Sequence, residues 1–299
     1  MLDIPQDLDT QVAAALREDV GSGDATALLV PVAQEVRGRV ITREAAVLCG
    51  RPWVEATFRQ LDPRIVLTWH ADDGDRIAAD SVIFEIAGPA RAVLTGERTA
   101  LNFLQLLSAT ATVASRFADA VAGTGCKIID TRKTLPGLRT AQKYAVRCGG
   151  AQNHRIGLYD MVLIKENHIA AAGSLSGAIT AARRVAPKLP VEVEVESLAE
   201  FQEALAAEPD IILLDELSLA DMRKAVEINR AYQHPVKLEA SGSVSLESVR
   251  AIAETGVDFI SVGSITKHVR AVDLSMRLAF SGAASLSEVT NCSGAGGDG

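Results

Sequence analysis

The chain has 299 residues, of which 48% are hydrophobic and 23% are charged, and its formal net charge is −8 at pH 7. A chain of this length and hydrophobicity can bury one large core or two unequal ones, which excludes intrinsic disorder for most of it. Its apolar runs end well before the roughly 18 residues that a membrane span requires, and its acidic balance disfavours nucleic acid and anionic membranes as partners.

The N-terminus and the cysteines both indicate a reducing compartment. The first ten residues, MLDIPQDLDT, contain neither the basic nor the apolar region of a secretory signal, so we expect a cytoplasmic protein. Cys49, Cys126, Cys148 and Cys292 show no C-x-x-C spacing, which argues against a disulfide framework or a zinc knuckle. We expect reduced cysteines that are mostly buried or incidental.

The first hundred residues predict a separate α+β domain. Strand-like runs occur at 36–42 and 82–86, and turn signals lie at 72–75 and 88–89. A long helix is predicted to begin near Gly96 and to lead into the remainder of the chain.

From about Cys126 onward, short apolar runs alternate with Ala-rich helical patterns, such as those at 198–207 and 219–231. This alternation predicts βαβ units around a parallel sheet. Because no G-x-G-x-x-G turn is present, the pattern favours an α/β barrel, complete or incomplete, over a dinucleotide-binding fold. The apolar runs are 127–130, 161–165, 191–196, 211–215, 236–240 and 259–263.

Most of these runs end in charged or small polar residues. Reactive groups in an α/β barrel lie at the carboxyl ends of the strands, so these ends predict a site of mixed charge at one rim. In VEVEVES, the alternation places three valines on one face and Glu192, Glu194 and Glu196 on the other. We expect the valines to lie under helices and the glutamates to point inward. The alternative is an edge strand with a solvated acidic face.

Basic residues cluster in one third of this acidic chain. Three of them, Arg139, Lys143 and Arg147, recur at helical spacing, which favours ordinary helix-surface cations paired with carboxylates. Others precede or follow the predicted strands, and they favour a polyanionic substrate, because guanidinium groups bind carboxylates and phosphates bidentately. These are Arg132, Lys133, Arg155 and Lys165.

Small residues after the last two apolar runs are typical of a phosphate site. Ser241-Gly242-Ser243 and Gly263-Ser264 would let backbone N–H groups approach an anion. The five histidines show no metal-ligand spacing, so a dedicated metal cage is not expected, whereas Mg²⁺ carried by a phosphate is compatible with the acidic rim. His154 is a candidate for a substrate contact or for a hydrogen-bonded structural imidazole.

Longer motifs then add a resemblance. EDVGSGDAT, TGERTALNFLQ, DTRKTLPGLR, CGGAQNHRIGLYDMVLIKENHI, VEVEVES, ILLDE, LEASGS and SVGSITKHVRAVDLSMRL occur in this order between residues 18 and 278. A chain with these motifs resembles the quinolinate phosphoribosyltransferase family. The resemblance implies an N-terminal α/β sandwich domain over 1–112, joined by the C-terminal segment 268–290, and an open α/β barrel domain over 113–267. The low-complexity tail 291–299 is predicted to be disordered.

The resemblance also implies a reaction. Quinolinate and phosphoribosyl pyrophosphate, with Mg²⁺, would give nicotinate mononucleotide, pyrophosphate and carbon dioxide in de novo NAD synthesis. Family members are homodimers or larger assemblies with shared active sites, and in that scheme Arg98 would reach the partner's site.

Carried over residue by residue, the family pattern implies a basic lining for carboxylates and phosphates formed by Thr131, Arg132, Lys133, Arg155 and Lys165, with His154 beside it. Lys133, Lys165, Glu194 and Asp215 would be catalytic, the two carboxylates lying near the ribose and Mg²⁺. Lys133, Lys165 or water would protonate the product carbon. The 5′-phosphate loops would comprise Ser241, Gly242, Ser243, Val262, Gly263 and Ser264.

At or next to these site positions, three residues differ from those that the family pattern implies. They are Glu166, Glu216 and Ser243. We hypothesise that Ser243 is tolerated because its hydroxyl can join the phosphate site. Two alternatives stay open on the sequence. One is a related phosphoribosyltransferase with another acceptor base, against which the retained basic residues argue. The other is a non-catalytic phosphate-ligand sensor, which would not require the full set of lysines and carboxylates.

Overall fold

A computed structural model describes residues 3–280 of the chain. These residues divide into two units. The first extends to Thr112 and resumes at Arg270, and the second is Val113–Val269. The predicted tail, 291–299, and Cys292 lie outside the described residues.

The elements follow one another in chain order. Those of the N-terminal part are α1 (Leu8–Val20), a short 3-10 helix (Ala27–Leu29), β1 (Glu35–Thr42), β2 (Ala46–Val47), α2 (Arg51–Leu61), β3 (Val66–Trp69), β4 (Arg76–Ile77), β5 (Val82–Pro89) and α3 (Ala90–Ala120). Then come β6 (Lys127–Ile129), α4 (Arg139–Cys148), β7 (Val162–Ile164), α5 (Glu166–Ala172), α6 (Leu175–Val185), β8 (Val191–Val195) and α7 (Leu198–Ala206). The last are β9 (Ile211–Asp215), α8 (Leu219–Ala231), β10 (Lys237–Ser241), α9 (Val249–Ala253), β11 (Phe259–Ser261), α10 (Ser264–Lys267) and β12 (Leu274–Phe280).

The first unit is built on a four-stranded antiparallel sheet in the order β12-β1-β5-β3. Its core includes Phe58 and Phe84, both almost fully buried. The long helix α3 begins at Ala90, directly after β5, and not near Gly96 as predicted. Gly96 serves packing instead, because a Cβ there would lie only 2.7 Å from Leu61 Cδ1 and 2.8 Å from Phe58 Cε1.

The second unit contains a six-stranded parallel sheet in the order β6-β11-β10-β9-β8-β7. Strands β6 and β7 are the edges of this sheet, so it is open within the described residues. One face of the sheet packs against α6, α7, α8 and α9 in a continuous apolar core. This architecture confirms the predicted α/β class.

Strand β8 shows how sequence alternation orients side chains. Val191, Val193 and Val195 are buried in the apolar core, and Glu192 and Glu194 point to the opposite face of the sheet. The alternative of an edge strand is wrong, because β8 pairs with both β7 and β9. The prediction is also wrong for Glu196, which follows the strand, is exposed, and donates its backbone N–H to Glu200.

Two sequence predictions about the environment can be compared with the described residues. Cys49, Cys126 and Cys148 are buried and form no disulfide within residues 3–280. No helix in the same range is both long enough and apolar enough to cross a membrane.

Candidate active site

The carboxyl ends of the parallel strands meet at one edge of the sheet, where a cavity of about 240 Å³ opens. It is lined by residues from seven separate segments, namely the six parallel strands with the residues that follow them and the segment that contains His154 and Arg155. The lining residues are Thr131, Arg132, Lys133, His154, Arg155, Leu163, Lys165, Glu194, Leu213, Glu239, Ser241 and Ser261.

Two guanidinium groups concentrate positive charge in this cavity. Burial, and then the neighbouring Arg132, lower the pKa of Arg155. The Nε atom of Arg132 is buried and has no hydrogen-bond partner. An anionic ligand with two or more oxygens would relieve both the repulsion and the missing hydrogen bond.

A buried ion pair holds the segments that carry these arginines. Lys143 Nζ lies 2.5 Å from Asp130 Oδ1 and donates to the backbone oxygen of His154 at 2.9 Å. Asp130 also accepts hydrogen bonds from Asn153 Nδ2 and from His154 N. The prediction of a helix-surface cation is therefore wrong for Lys143, whose side chain is only 2% exposed. The pair fixes the segment that leads into Arg155.

Arg139, on the same helix, also contacts the loops around the cavity. Its guanidinium donates to Thr134 Oγ1 at 3.1 Å and to the backbone oxygen of Ile156 at 3.2 Å. The helix α4 thus holds the segment after β6 against the segment after Arg155.

Behind the arginines, His154 forms a buried triad with Glu192 and Glu239. His154 Nε2 lies 2.8 Å from Glu192 Oε2 and 3.5 Å from Glu239 Oε2. The N–H of Arg155 donates to Nδ1 at 2.8 Å, which leaves Nδ1 without a proton and places the ring proton on Nε2. The imidazole therefore lines the cavity and is also held structurally through both nitrogens.

The triad binds protons more tightly than its separate groups would, because the pKa values of Glu239 and His154 are both raised. Burial, and then the adjacent Glu192, raise the pKa of Glu239 to about 7. Burial lowers the pKa of His154, but the hydrogen bonds to the two carboxylates outweigh it and raise that pKa overall. Nδ1 of His154 accepts a hydrogen bond from a backbone N–H and therefore carries no proton. We therefore place a proton that the triad takes up on the carboxyl group of Glu239.

A second ion pair lies at the mouth of the cavity. Lys165 Nζ contacts Glu194 Oε2, and the side chain of Glu194 is 10% exposed, whereas that of Lys165 is 44% exposed. Lys165 can therefore turn towards a ligand without unburying its partner.

A larger cavity of about 600 Å³ adjoins the first and shares Lys133 and Ser241 with it. Gly263 leaves room for Lys133, because a Cβ there would lie 3.0 Å from Lys133 Cδ. The other residues that line it are Asp215, Glu216, Gly242, Ser243, Val244, Val262, Ser264, Lys267 and His268.

Comparison with known proteins supports this reading of the sheet edge. The family model for the quinolinate phosphoribosyl transferase C-terminal domain matches residues 110–277, and that for the N-terminal domain matches residues 24–108. The chain belongs to the quinolinate phosphoribosyltransferase family. The resemblance inferred from the motifs is thereby confirmed.

Individual members of the quinolinate phosphoribosyltransferase family align with most of the chain. A carboxylating nicotinate-nucleotide pyrophosphorylase of Mycobacterium leprae is 42% identical over 276 residues, which cover 89% of this chain and 95% of that protein. A protein of Bacillus subtilis named as a probable nicotinate-nucleotide pyrophosphorylase is 40% identical over 265 residues, which cover 88% of this chain and 91% of that protein. The structure of the nicotinate-nucleotide pyrophosphorylase from Francisella tularensis superposes with a TM-score of 0.89 at 47% identity. The superposition covers 93% of this chain and 98% of that one.

The structure brings most of the predicted site residues together. The basic residues, His154 and Glu194 line the smaller cavity, and Asp215 and the predicted phosphate loops line the larger one. Arg98 is exposed on α3 in the first unit. The sequence analysis predicts that Arg98 reaches the active site of a partner subunit, and this stays a prediction.

Sequence analysis missed several residues of these cavities, and Glu239 is the most important of them. The alternation in KLEAS of β10 places Glu239 and Ser241 on the same face, as the alternation in β8 does for Glu192 and Glu194. That signal was available in the sequence. Leu163, Leu213 and Ser261 gave no chemical signal of their own, whereas Lys267 and His268 are chemically active side chains to which the sequence analysis assigned no role.

Proposed function

We propose that this protein transfers phosphoribose from phosphoribosyl pyrophosphate to quinolinate and decarboxylates the product, giving nicotinate mononucleotide, pyrophosphate and carbon dioxide. The observation that carries the proposal is the adjacency of two cavities, one lined by paired arginines and lysines, the other by glycine and serine loops. The names of relatives at 40% identity or more support the same reaction.

The smaller cavity suits the pyridine dicarboxylate. Quinolinate is a planar dianion, and Arg132 and Arg155 offer guanidinium groups that bind carboxylates bidentately. Lys133, common to both cavities, lies where it can neutralise charge on either substrate. A local basic basin in an acidic protein offsets the repulsion between two anionic substrates.

Transfer requires stabilisation of a cationic sugar. The C1′–oxygen bond to pyrophosphate breaks, the bond from the pyridine nitrogen to C1′ forms, and positive charge develops on the ribose between these events. We assign Glu194 and Asp215 to this charge, since preorganised carboxylates stabilise it electrostatically. Lys133 and Lys165 accept the negative charge of the departing pyrophosphate.

Decarboxylation follows from the charge on the pyridine ring. Once the nitrogen is quaternised, its positive charge stabilises the electron pair that stays on the adjacent carbon when that carbon loses carbon dioxide. The resulting ylide carbon takes one proton, and Lys133, Lys165 or water is the donor.

Mg²⁺ belongs to this proposal as part of the donor complex. The pyrophosphate oxygens would hold the ion, and carboxylate oxygens are the other ligands that Mg²⁺ prefers. Glu194 and Asp215 have the right chemistry to lie beside it, with Glu194 only slightly exposed. When bound, the ion neutralises leaving-group charge.

We also propose a cytoplasmic homodimer, or a larger assembly, in which Arg98 serves the partner's site. Mixing Arg98→Ala with Lys165→Ala protein should restore activity through subunit exchange. Exchange that is verified by mass spectrometry without any return of activity would contradict the shared site. Cell fractionation tests the location.

The central test is formation of nicotinate mononucleotide from quinolinate, phosphoribosyl pyrophosphate and Mg²⁺, with nicotinate as the control acceptor. Product and carbon dioxide from quinolinate alone are expected. Lys165→Met should reduce kcat by about a hundredfold or more, whereas Lys188→Met, an exposed lysine elsewhere in the second unit, should not change it. A folded protein that binds the donor but leaves quinolinate unchanged would indicate another acceptor base or a sensor.

A further inference from the structure

Glu216 places a carboxylate inside the cavity to which the proposed function assigns the phosphate. It follows Asp215 at the end of β9, and its φ of 51° lies in the left-handed region, which a glutamate rarely adopts. This backbone turn is anchored by a hydrogen bond from Glu216 N to Ser241 O at 3.1 Å. The side chain thereby lines the same cavity as Lys133 and Lys267.

The carboxylate of Glu216 lies directly on the predicted phosphate loop. Ser243 Oγ donates a hydrogen bond to Glu216 Oε1 at 2.9 Å. A Cβ at position 242 would lie 2.6 Å from the carboxyl carbon of Glu216, so the carboxylate packs where only a glycine leaves room. Residues 216 and 243 therefore form one hydrogen-bonded pair. The Ser243 hydroxyl is already engaged by an anion of the protein itself.

A phosphate on this loop would compete with that internal anion. Both groups accept hydrogen bonds, and the single hydroxyl hydrogen of Ser243 can serve only one of them. The two anions also repel each other at a separation of a few ångströms.

We propose that Glu216 weakens the binding of phosphate at this loop, because its hydrogen bond with Ser243 must open before a phosphate can occupy the loop. This inference rests on the proposed function. The donor, phosphoribosyl pyrophosphate, gains compensating contacts in the adjoining cavity, whereas inorganic phosphate gains none. Opening that hydrogen bond costs both ligands the same, so only a ligand with further contacts outweighs the cost.

The test measures binding of inorganic phosphate by calorimetry at low ionic strength. Glu216→Gln keeps the shape and removes the charge, and we expect its Kd for phosphate to fall about tenfold. Glu208→Gln is the matched control, because Glu208 is another exposed glutamate with a left-handed φ, 49°, outside the two cavities. Its Kd should equal that of the wild type. The gain in Glu216→Gln should shrink as salt is added.

A double-variant cycle tests the role of the hydroxyl. Glu216→Gly removes the acceptor and suits the left-handed backbone. With Glu216 present, Ser243→Ala should change the Kd for phosphate less than twofold, since the hydroxyl is already engaged. In the Glu216→Gly background, the same substitution should weaken phosphate binding about fivefold.

Two results would overturn the inference. One is a phosphate Kd in Glu216→Gln and Glu216→Gly that is no lower than in the wild type, including the case in which none of them binds phosphate. The other is an equal effect of Ser243→Ala in both backgrounds. Either result would leave the proposed function standing if the wild type still converts quinolinate to nicotinate mononucleotide.

Discussion

Lys143→Met tests whether the buried ion pair under the active-site loops is required for folding. Lys143 and Asp130 are 2% and 0% exposed, so the substitution leaves the Asp130 carboxylate buried without its counter-ion. Burial lowers the pKa of Lys143 and raises that of Asp130, which means that each charge is stable there mainly because of the other. Breaking such a pair costs about 3–5 kcal/mol of unfolding free energy.

The assay is urea denaturation followed by circular dichroism, with unfolding free energies extrapolated to water. Lys224→Met is the control, because Lys224 is 60% exposed and its contact with Glu227 is a surface pair worth at most about 0.5 kcal/mol. Removing both charges in Lys143→Met/Asp130→Asn should recover more than half of the loss. A loss below about 1 kcal/mol in Lys143→Met, or a double variant as unstable as the single one, would refute this reasoning.

Three further predictions follow from single contacts. Glu239→Gln should reduce the pH dependence of stability: the folded-state pKa, about 7, exceeds the usual value of 4.5, so this group stabilises the fold at low pH. That contribution, up to about 3 kcal/mol, is lost as pH rises from about 4.5 to 7. Unfolding free energies measured at pH 5 and pH 8 should therefore differ less in the variant than in the wild type. Gly263→Ala should raise the KM for phosphoribosyl pyrophosphate severalfold with little loss of stability, because the new methyl group displaces Lys133. Steady-state kinetics would measure this change in KM. Ser197→Ala should cost about 1 kcal/mol in thermal or urea unfolding, since Ser197 caps α7 by accepting from Glu200 N.

Secondary structure in the second unit was predictable where local signals agree. The run at 211–215 and the helix at 219–231 coincide with β9 and α8. Strand β9 is marked by an apolar run of strand length. The start of α8 is marked by Ser218, whose side chain accepts a hydrogen bond from Asp221 N. The start of α3 was not predictable in this way, because the Gly-Pro pair before it signals a turn as readily as the end of a strand.

Burial of individual charges was not predictable from spacing. Lys143 has the helical spacing of a surface cation, yet its partner Asp130 lies beyond a neighbouring strand end and is brought to it only by the tertiary fold. The contact between Glu216 and Ser243 likewise joins residues 27 positions apart through adjacent strands β9 and β10. Both residues follow apolar runs in the sequence, and only the structure shows that they contact each other.

The mixed charge of the smaller cavity has a functional consequence of its own. Four cationic side chains line it, yet Glu194 contacts Lys165, and Glu192 and Glu239 lie behind His154. An enzyme gains rate only from interactions that are stronger in the transition state than with substrate or product. A purely basic pocket would bind pyrophosphate and dicarboxylate tightly as ground states and would release products slowly. Carboxylates within reach of the cations weaken that uniform attraction, and under the proposed function they also stabilise the positive charge that develops on the ribose. Under the proposed function, the acidic residues in this anion site therefore favour turnover over affinity.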